Sequence, residues 1–316
     1  MWTLIGGIFM GWSLGANDAA NLFGPAVTSR TLRFWTAAGL ASVFVVIGAV
    51  FLGSRGFSTY EAIGELTRLA GFVVTMAAAL TVSGMTFLGL PVSTTQAVVG
   101  GIIGATLAMG RVPSLAPLLK VALSWVLTPV GGAIATYVLY RVVSGRGGWI
   151  GERLLRYERL LQASLILATC YSAFSLGANN LANVTGVYVN AGLVSPLTGA
   201  LVGGGAIALG ILTFSRNVMF TVGDRLVRLE GLAAFCVILG EAITLNVYAA
   251  FGVPVSASQA IVGAVLGVGL VKGARTISAR TIARIGVAWV ATPVVAGLIA
   301  FLLCVLARTL GWAPSA

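Results

Sequence analysis

The chain contains no histidine, and charge of either sign is scarce: 8 acidic and 19 basic residues make up 9% of 316. Without imidazole, the usual proton shuttle near neutral pH and the commonest nitrogen ligand for metals are both missing. Cysteine is nearly as rare. Cys170, Cys236 and Cys304 all fall in apolar stretches, at no spacing that suits a disulfide framework or a thiolate metal site, and they read as buried free thiols. A cleavable leader is not expected either, because the first apolar run lacks a basic flank and ends in polar residues.

Apolar residues fill the space that charge leaves. Hydrophobic residues make up 58% of the chain and the mean hydropathy is +1.02, more apolar surface than a soluble domain can hide. Runs such as FWTAAGLASVFVVIGAVFL (34–52) approach the roughly 20 residues that cross a bilayer core as a helix. The expectation is an all-α polytopic membrane protein, multi-pass in the cell membrane, with apolar segments at 2–28, 34–53, 66–89, 91–109, 117–140, 160–190, 193–215, 231–252, 254–271 and 285–309. The net charge of +11 does not point to nucleic acid, since the basic residues sit in short connections between these segments. Placing the central connection 141–159 in the cytoplasm puts fourteen of the nineteen basic residues inside, Arg30, Arg33, Arg141 and Lys272 among them. Arg55, Arg68, Arg111, Lys120 and Arg308 remain outside, and the bias places both termini outside.

The sequence repeats itself. GANDAAN (15–21) returns as GANNLAN (177–183), GLPVSTTQAVVGGIIG (89–104) as GVPVSASQAIVGAVLG (252–267), and SWVLTPV (124–130) as AWVATPV (288–294), in the same order at offsets of 162 to 164. The expected organisation is a first repeat over 1–140, a linker over 141–159 and a second repeat over 160–316. An odd number of crossings separates the first motif from its copy, so the repeats insert in opposite senses, an arrangement typical of secondary transporters.

Two of the eight acids lie away from loops and segment ends, Asp18 and Glu241, with no basic residue beside them. An ionisable group at membrane depth is costly enough to suggest function. A carboxylate among amide oxygens suits a small hard cation, and Asn17, Asp18, Asn21, Asn179, Asn180 and Asn183 supply such oxygens. Gly15 and Gly177 are expected to let the helices unwind there. PVSTTQ and PVSASQ are different in kind. Proline followed by hydroxyls reads as a helix start, whose free N–H groups and partial positive charge favour anions. Ser93, Thr94, Thr95, Gln96, Ser256, Ser258 and Gln259 add neutral donors. Two such starts facing each other could hold a tetrahedral oxyanion from both sides. They read as the tips of re-entrant hairpins, because broken backbone inside a membrane must line a cavity. Gly100, Gly104, Gly263 and Gly267 read as small residues for close helix packing. An anion held without a fixed cation needs cations that arrive with it, which implies symport driven by sodium or protons. Sodium suits the oxygen-rich amides, and no histidine offers a proton relay. No nucleophile stands beside a base, so an enzyme is not expected.

At these residues the chain resembles the inorganic phosphate transporter (PiT) family of sodium–phosphate symporters, which carries GANDVAN-like motifs in both halves and PVSTTH-like hairpin tips. The resemblance spans essentially the whole chain. It implies two inverted repeats with re-entrant hairpins, phosphate at Ser93, Thr94, Thr95, Ser256, Ser258 and the backbone of Ala257, and sodium at the six residues of the Asn-Asp motifs. Three departures stand out: Asn180 replaces an aspartate, Gln96 and Gln259 replace histidines, and Ala257 stands where the first half has Thr94. Glu241, matched by Ala78 in the other half, could restore the lost carboxylate for coupling. The expected partners are phosphate, sodium and the lipid bilayer, with no resident cofactor, and a homo-oligomer is compatible with the sequence. A sulfate symporter, a proton-coupled phosphate permease and a passive anion channel remain open alternatives.

Overall fold

The computed structural model describes residues 2–63, 66–88, 92–145, 154–216, 218–219, 229–273 and 279–312. Gly89, Leu90 and Pro91 of the first tip, the middle of the expected linker (146–153), and Arg225, Arg228 and Arg275 lie outside the described residues. What is described is helical. The helices are α1 (Leu4–Thr28), α2 (Phe34–Leu52), α3 (Phe57–Ile63), α4 (Arg68–Phe87), α5 (Thr94–Ala108), α6 (Leu115–Gly145), α7 (Leu154–Leu181), α8 (Val187–Asn190), α9 (Pro196–Thr213), α10 (Gly231–Ala250), α11 (Ala257–Lys272) and α12 (Ala279–Thr309). A π-helical turn, Ala182–Gly186, joins α7 to α8.

Among the described residues, seven stretches are long and apolar enough to cross a membrane, and they include α2, α4, α6, α7, α9, α10 and α12. α1 is as long, 25 residues, but carries a polar motif at its centre. α5 and α11 are shorter apolar helices of 15 and 16 residues. The expected segments therefore recur with shifts of a few residues, and the chain is a multi-pass helical membrane protein. One expected loop is a helix. Between α2 and α4 the chain forms a short 3₁₀ turn and then α3, which buries Phe57, Tyr60 and Ile63 at a spacing of three.

Packing repeats the internal symmetry of the sequence. α1 packs along α9 and α7 along α2; α1 also meets α4 as α7 meets α10; α5 lies along α12 as α11 lies along α6. Each half thus completes itself with helices of the other. Glycine sets the closest approaches. A Cβ on Gly100 would lie 2.1 Å from the carbonyl oxygen of Pro293, and one on Gly263 would lie 2.0 Å from that of Pro129, so α5–α12 and α11–α6 seat backbone on backbone. Gly15 and Gly177 do the same, and here the expectation of unwinding fails. α1 runs through Gly15 and α7 through Gly177 without interruption. A Cβ on either would come within 2.0 Å of a carbonyl oxygen, of Ile207 or Val45. These glycines buy close contact between helices rather than a broken backbone.

Candidate functional site

Both tip serines start helices. Ser93 and Ser256 are N-caps in extended backbone, and each side chain accepts a hydrogen bond, 3.2 Å, from the amide three residues on, Gln96 or Gln259. Pro254 lies two residues before its cap rather than in the first turn, so the proline precedes the helix instead of opening it. The two helix starts, α5 and α11, touch. Thr95 Oγ1 donates to the Val255 carbonyl (3.1 Å), and Ser258 Oγ donates to the Val92 carbonyl (2.6 Å). Thr95 and Ser258 are equivalent in the repeat, as are Val92 and Val255, so one bond mirrors the other. Ser256 and Ser258 also share a hydrogen bond of 3.0 Å. The expectation that the starts face each other is met, with one change: in this arrangement they are bonded directly, hydroxyl to opposing carbonyl.

The Asn-Asp motifs wrap these tips. Thr94 Oγ1 donates to Asp18 Oδ2 across 3.3 Å, while Asp18 Oδ1 has no partner. Asn17 donates to Thr86 Oγ1 near the end of α4 (2.6 Å), and Asn21 is buried one turn beyond. In the second half Asn179 clamps Val255 from both sides, donating to its carbonyl (2.7 Å) and accepting from its amide (3.0 Å). Asn183 donates to Asn180 Oδ1 (2.7 Å) and to Thr95 Oγ1 (3.3 Å), so the second motif reaches the first tip. It sits in the π-helical turn, a distortion that often marks functional sites. Gln96, Gln259 and Ala257 are buried within the first turn of their helices, and both glutamine carbonyl oxygens lack partners.

Hydrogen bonds therefore join Asp18, Asn179, Asn180, Asn183 and both tips into one buried cluster, while Asn17 and Asn21 are buried on the same helix as Asp18, a turn or less from it. Glu241 shares no hydrogen bond with that cluster. It is fully buried on α10, nine residues before the end of that helix, and accepts a hydrogen bond from Ser172 on α7 at 3.5 Å. Asp18 and Glu241 are the only charged side chains buried among the described residues; no lysine or arginine joins them. Such a cluster, with unpaired carboxylate and amide oxygens beside two helix N-termini, has the chemistry to hold cations and an oxyanion together.

Two residues escaped the sequence reading. Tyr60 of α3 is buried and its hydroxyl donates to Asn183 Oδ1. Its signal was the apolar spacing Phe57, Tyr60, Ile63 inside a stretch read as a loop. Thr86, the partner of Asn17, had no signal, since a threonine near the end of an apolar helix is unremarkable by pattern.

Comparison with known proteins finds matches along nearly the whole chain. The profile of the phosphate transporter family matches residues 14–148 and again 149–300. Among similar curated proteins are candidate phosphate permeases of Pyrococcus furiosus, 28% identical with 94% of this chain and 93% of that protein covered, and of Methanocaldococcus jannaschii, 28% identical with 95% of each covered. Among solved structures, one titled "The sodium-dependent phosphate transporter" superposes with a TM-score of 0.86 at 25% identity, over 98% of this chain and 100% of that one.

Proposed function

This chain belongs to the phosphate transporter family, and we propose that it imports inorganic phosphate coupled to sodium by alternating access. As a transporter it is not an enzyme, and the finer reading concerns how the two ions meet. Phosphate would sit between the starts of α5 and α11, held by Ser93, Thr94, Thr95, Gln96, Ser256, Ser258, Gln259 and the Ala257 backbone. Sodium would sit at Asn17, Asp18 and Asn21 and at Asn179, Asn180 and Asn183. The halves, 1–140 and 160–316 about the linker 141–159, insert in opposite senses with both termini outside, and α4–α5 and α10–α11 form re-entrant hairpins.

The observation that carries this reading is the bond from Thr94 to Asp18. A hydroxyl of the anion-binding tip rests on the carboxylate of the cation motif, so the two sites share a wall. A cation on Asp18 would replace the hydroxyl as the carboxylate's partner and free Thr94 to donate to phosphate. Phosphate in turn adds negative charge beside the cation, so each ion raises the affinity for the other, as linkage requires. Admitting the anion also demands that Thr95 and Ser258 release the opposing carbonyls, which opens one tip against the other. The symmetry of those two bonds supports alternation: either tip can retreat while the other stays seated. With no buried lysine or arginine among the described residues, the cation is the available partner for a multivalent anion.

The test is uptake of labelled phosphate into proteoliposomes holding the purified chain, with and without inward sodium. Competition by excess sulfate is run in parallel: strong inhibition by sulfate would point to a sulfate carrier instead.

A further inference from the structure

The internal repeat allows a comparison within one molecule. Ser13 of α1 hydrogen-bonds Ser83 of α4 at 2.9 Å, and the equivalent pair, Ser175 of α7 and Asn246 of α10, meets at 3.5 Å. The α1–α4 and α7–α10 contacts therefore share one register. About one turn toward the N-terminus on each helix, the first half places Met10 and Ala78, both fully buried and made of carbon and sulfur alone. The second half places Ser172 and Glu241 at the equivalent positions, also fully buried. The same packing geometry thus closes without any polar group in one half and around a carboxylate in the other. Packing does not require Glu241, and a buried charge is a standing cost.

Among the described residues a single long hydrogen bond offsets that cost. Ser172 Oγ is 3.5 Å from Glu241 Oε2, at the limit of a hydrogen bond, and Glu241 Oε1 has no partner. Thr169, on α7 one turn before Ser172, is likewise fully buried with an unpartnered hydroxyl. In the first half its equivalent is Gly7. Against α10 are packed α7, α6, α11, α1 and the 3₁₀ turn Gly53–Gly56, whose Arg55 is exposed, and the one other charged side chain buried among the described residues is Asp18, of the same sign. Meanwhile the second motif has lost a carboxylate: Asn180 stands where the first motif has Asp18.

We propose that Glu241, with Ser172, is a sodium-binding station of the second half, separate from the Asp18 motif and without counterpart in the first. The proposal rests on the transport reading for its role but not for its existence. Its place along α10 gives that role. Glu241 lies ten residues from Gly231 at the base of the hairpin and ten from Phe251 at its tip, about 15 Å from each at 1.5 Å per residue. A sodium ion there stands between the paired tips and one membrane face. The displaced carboxylate therefore gives the carrier a cation step on one side only, and one sodium per phosphate more than the Asn-Asp motifs alone supply.

The experiment measures labelled sodium and labelled phosphate entering the same proteoliposomes, for the full chain and for Glu241→Gln and Glu241→Asp. The expected result is a sodium-to-phosphate ratio lower by one in Glu241→Gln and preserved in Glu241→Asp. An unchanged ratio in an active Glu241→Gln overturns the proposal, including the case where only a pH dependence is lost, which would make Glu241 a proton carrier. Where Glu241→Gln is folded but silent in transport, equilibrium binding of labelled sodium in detergent decides. One ion fewer per chain supports the station, and an equal count overturns it. The binding arm also keeps the two ideas apart: absent phosphate uptake by the unaltered chain would sink the transport reading while sodium binding at Glu241 is still read.

Discussion

Asp18 and Thr94 come from motifs 76 residues apart and meet in one hydrogen bond of 3.3 Å. Asp18→Asn keeps the shape and removes the charge; uptake at a fixed sodium concentration is expected to fall at least tenfold, with the dependence on sodium flattened. Thr94→Val keeps the volume and removes the hydroxyl. A hydrogen bond to a charged group contributes about 1.5–3 kcal/mol, so the half-saturating phosphate concentration should rise roughly tenfold or more, with Thr94→Ser restoring it. Initial rates of labelled phosphate uptake check both, and an unchanged sodium dependence in Asp18→Asn would remove Asp18 from the coupling. At this scale much was legible beforehand, because a carboxylate between two asparagines inside an apolar run is chemically conspicuous. The partners were not. That Asn179 would clamp the backbone of Val255, or Tyr60 reach Asn183, depends on which helices the fold brings together, and no spacing along the chain encodes that.

Helices meet here through glycine. Gly263→Ala places a methyl group 2.0 Å from the Pro129 carbonyl oxygen, in backbone that has little room to move, whereas Gly205→Ala points into open space. Overpacking of this kind costs about 1–3 kcal/mol, so thermal unfolding of the detergent-purified chain should drop by several degrees for Gly263→Ala and stay put for Gly205→Ala. Equal midpoints would mean that α11 and α6 are not seated as described. The repeat made Gly100, Gly104, Gly263 and Gly267 readable as packing residues. It misled at Gly15 and Gly177, where glycine beside a polar motif suggested unwinding but serves close approach. Such permissiveness does not say which use is made of it. At the base of the second hairpin Lys272 Nζ lies 2.5 Å from Glu230 Oε1, and Tyr140 donates to the same oxygen at 3.1 Å. The hydrogen bond from Lys272 holds the Glu230 carboxyl below its ordinary range. A carboxyl depressed in the folded state stabilises above its unfolded pKa and loses that contribution as pH falls through its folded value. The pair is partly exposed, so its worth is about 0.2–1 kcal/mol. The unfolding midpoint of Glu230→Gln should lie slightly below that of the unaltered chain near neutral pH, with the gap closing below about pH 4. A gap that persists there would assign it to packing.

For the whole molecule, charge placement and the proposed inversion of the repeats together predict sidedness. The three native cysteines are buried, so a membrane-impermeant thiol reagent should see introduced ones against a low background. Ser114→Cys, before α6, should label from outside intact cells, and Ser144→Cys, at its far end, only after permeabilisation. The reverse pattern would invert the topology. Architecture was legible at this scale because hydropathy, repeat and basic bias each act over tens of residues. The way each half completes the other, α5 on α12 and α11 on α6, was not, since it rests on contacts more than a hundred residues apart. The central claim is that two helix starts bare of basic side chains hold phosphate through ions that travel with it. Labelled phosphate accumulation by proteoliposomes of the purified chain, compared under an inward sodium gradient and with sodium replaced by choline at the same ionic strength, tests it most directly. Concentrative uptake is predicted only with the sodium gradient; equal accumulation under both conditions would contradict the account.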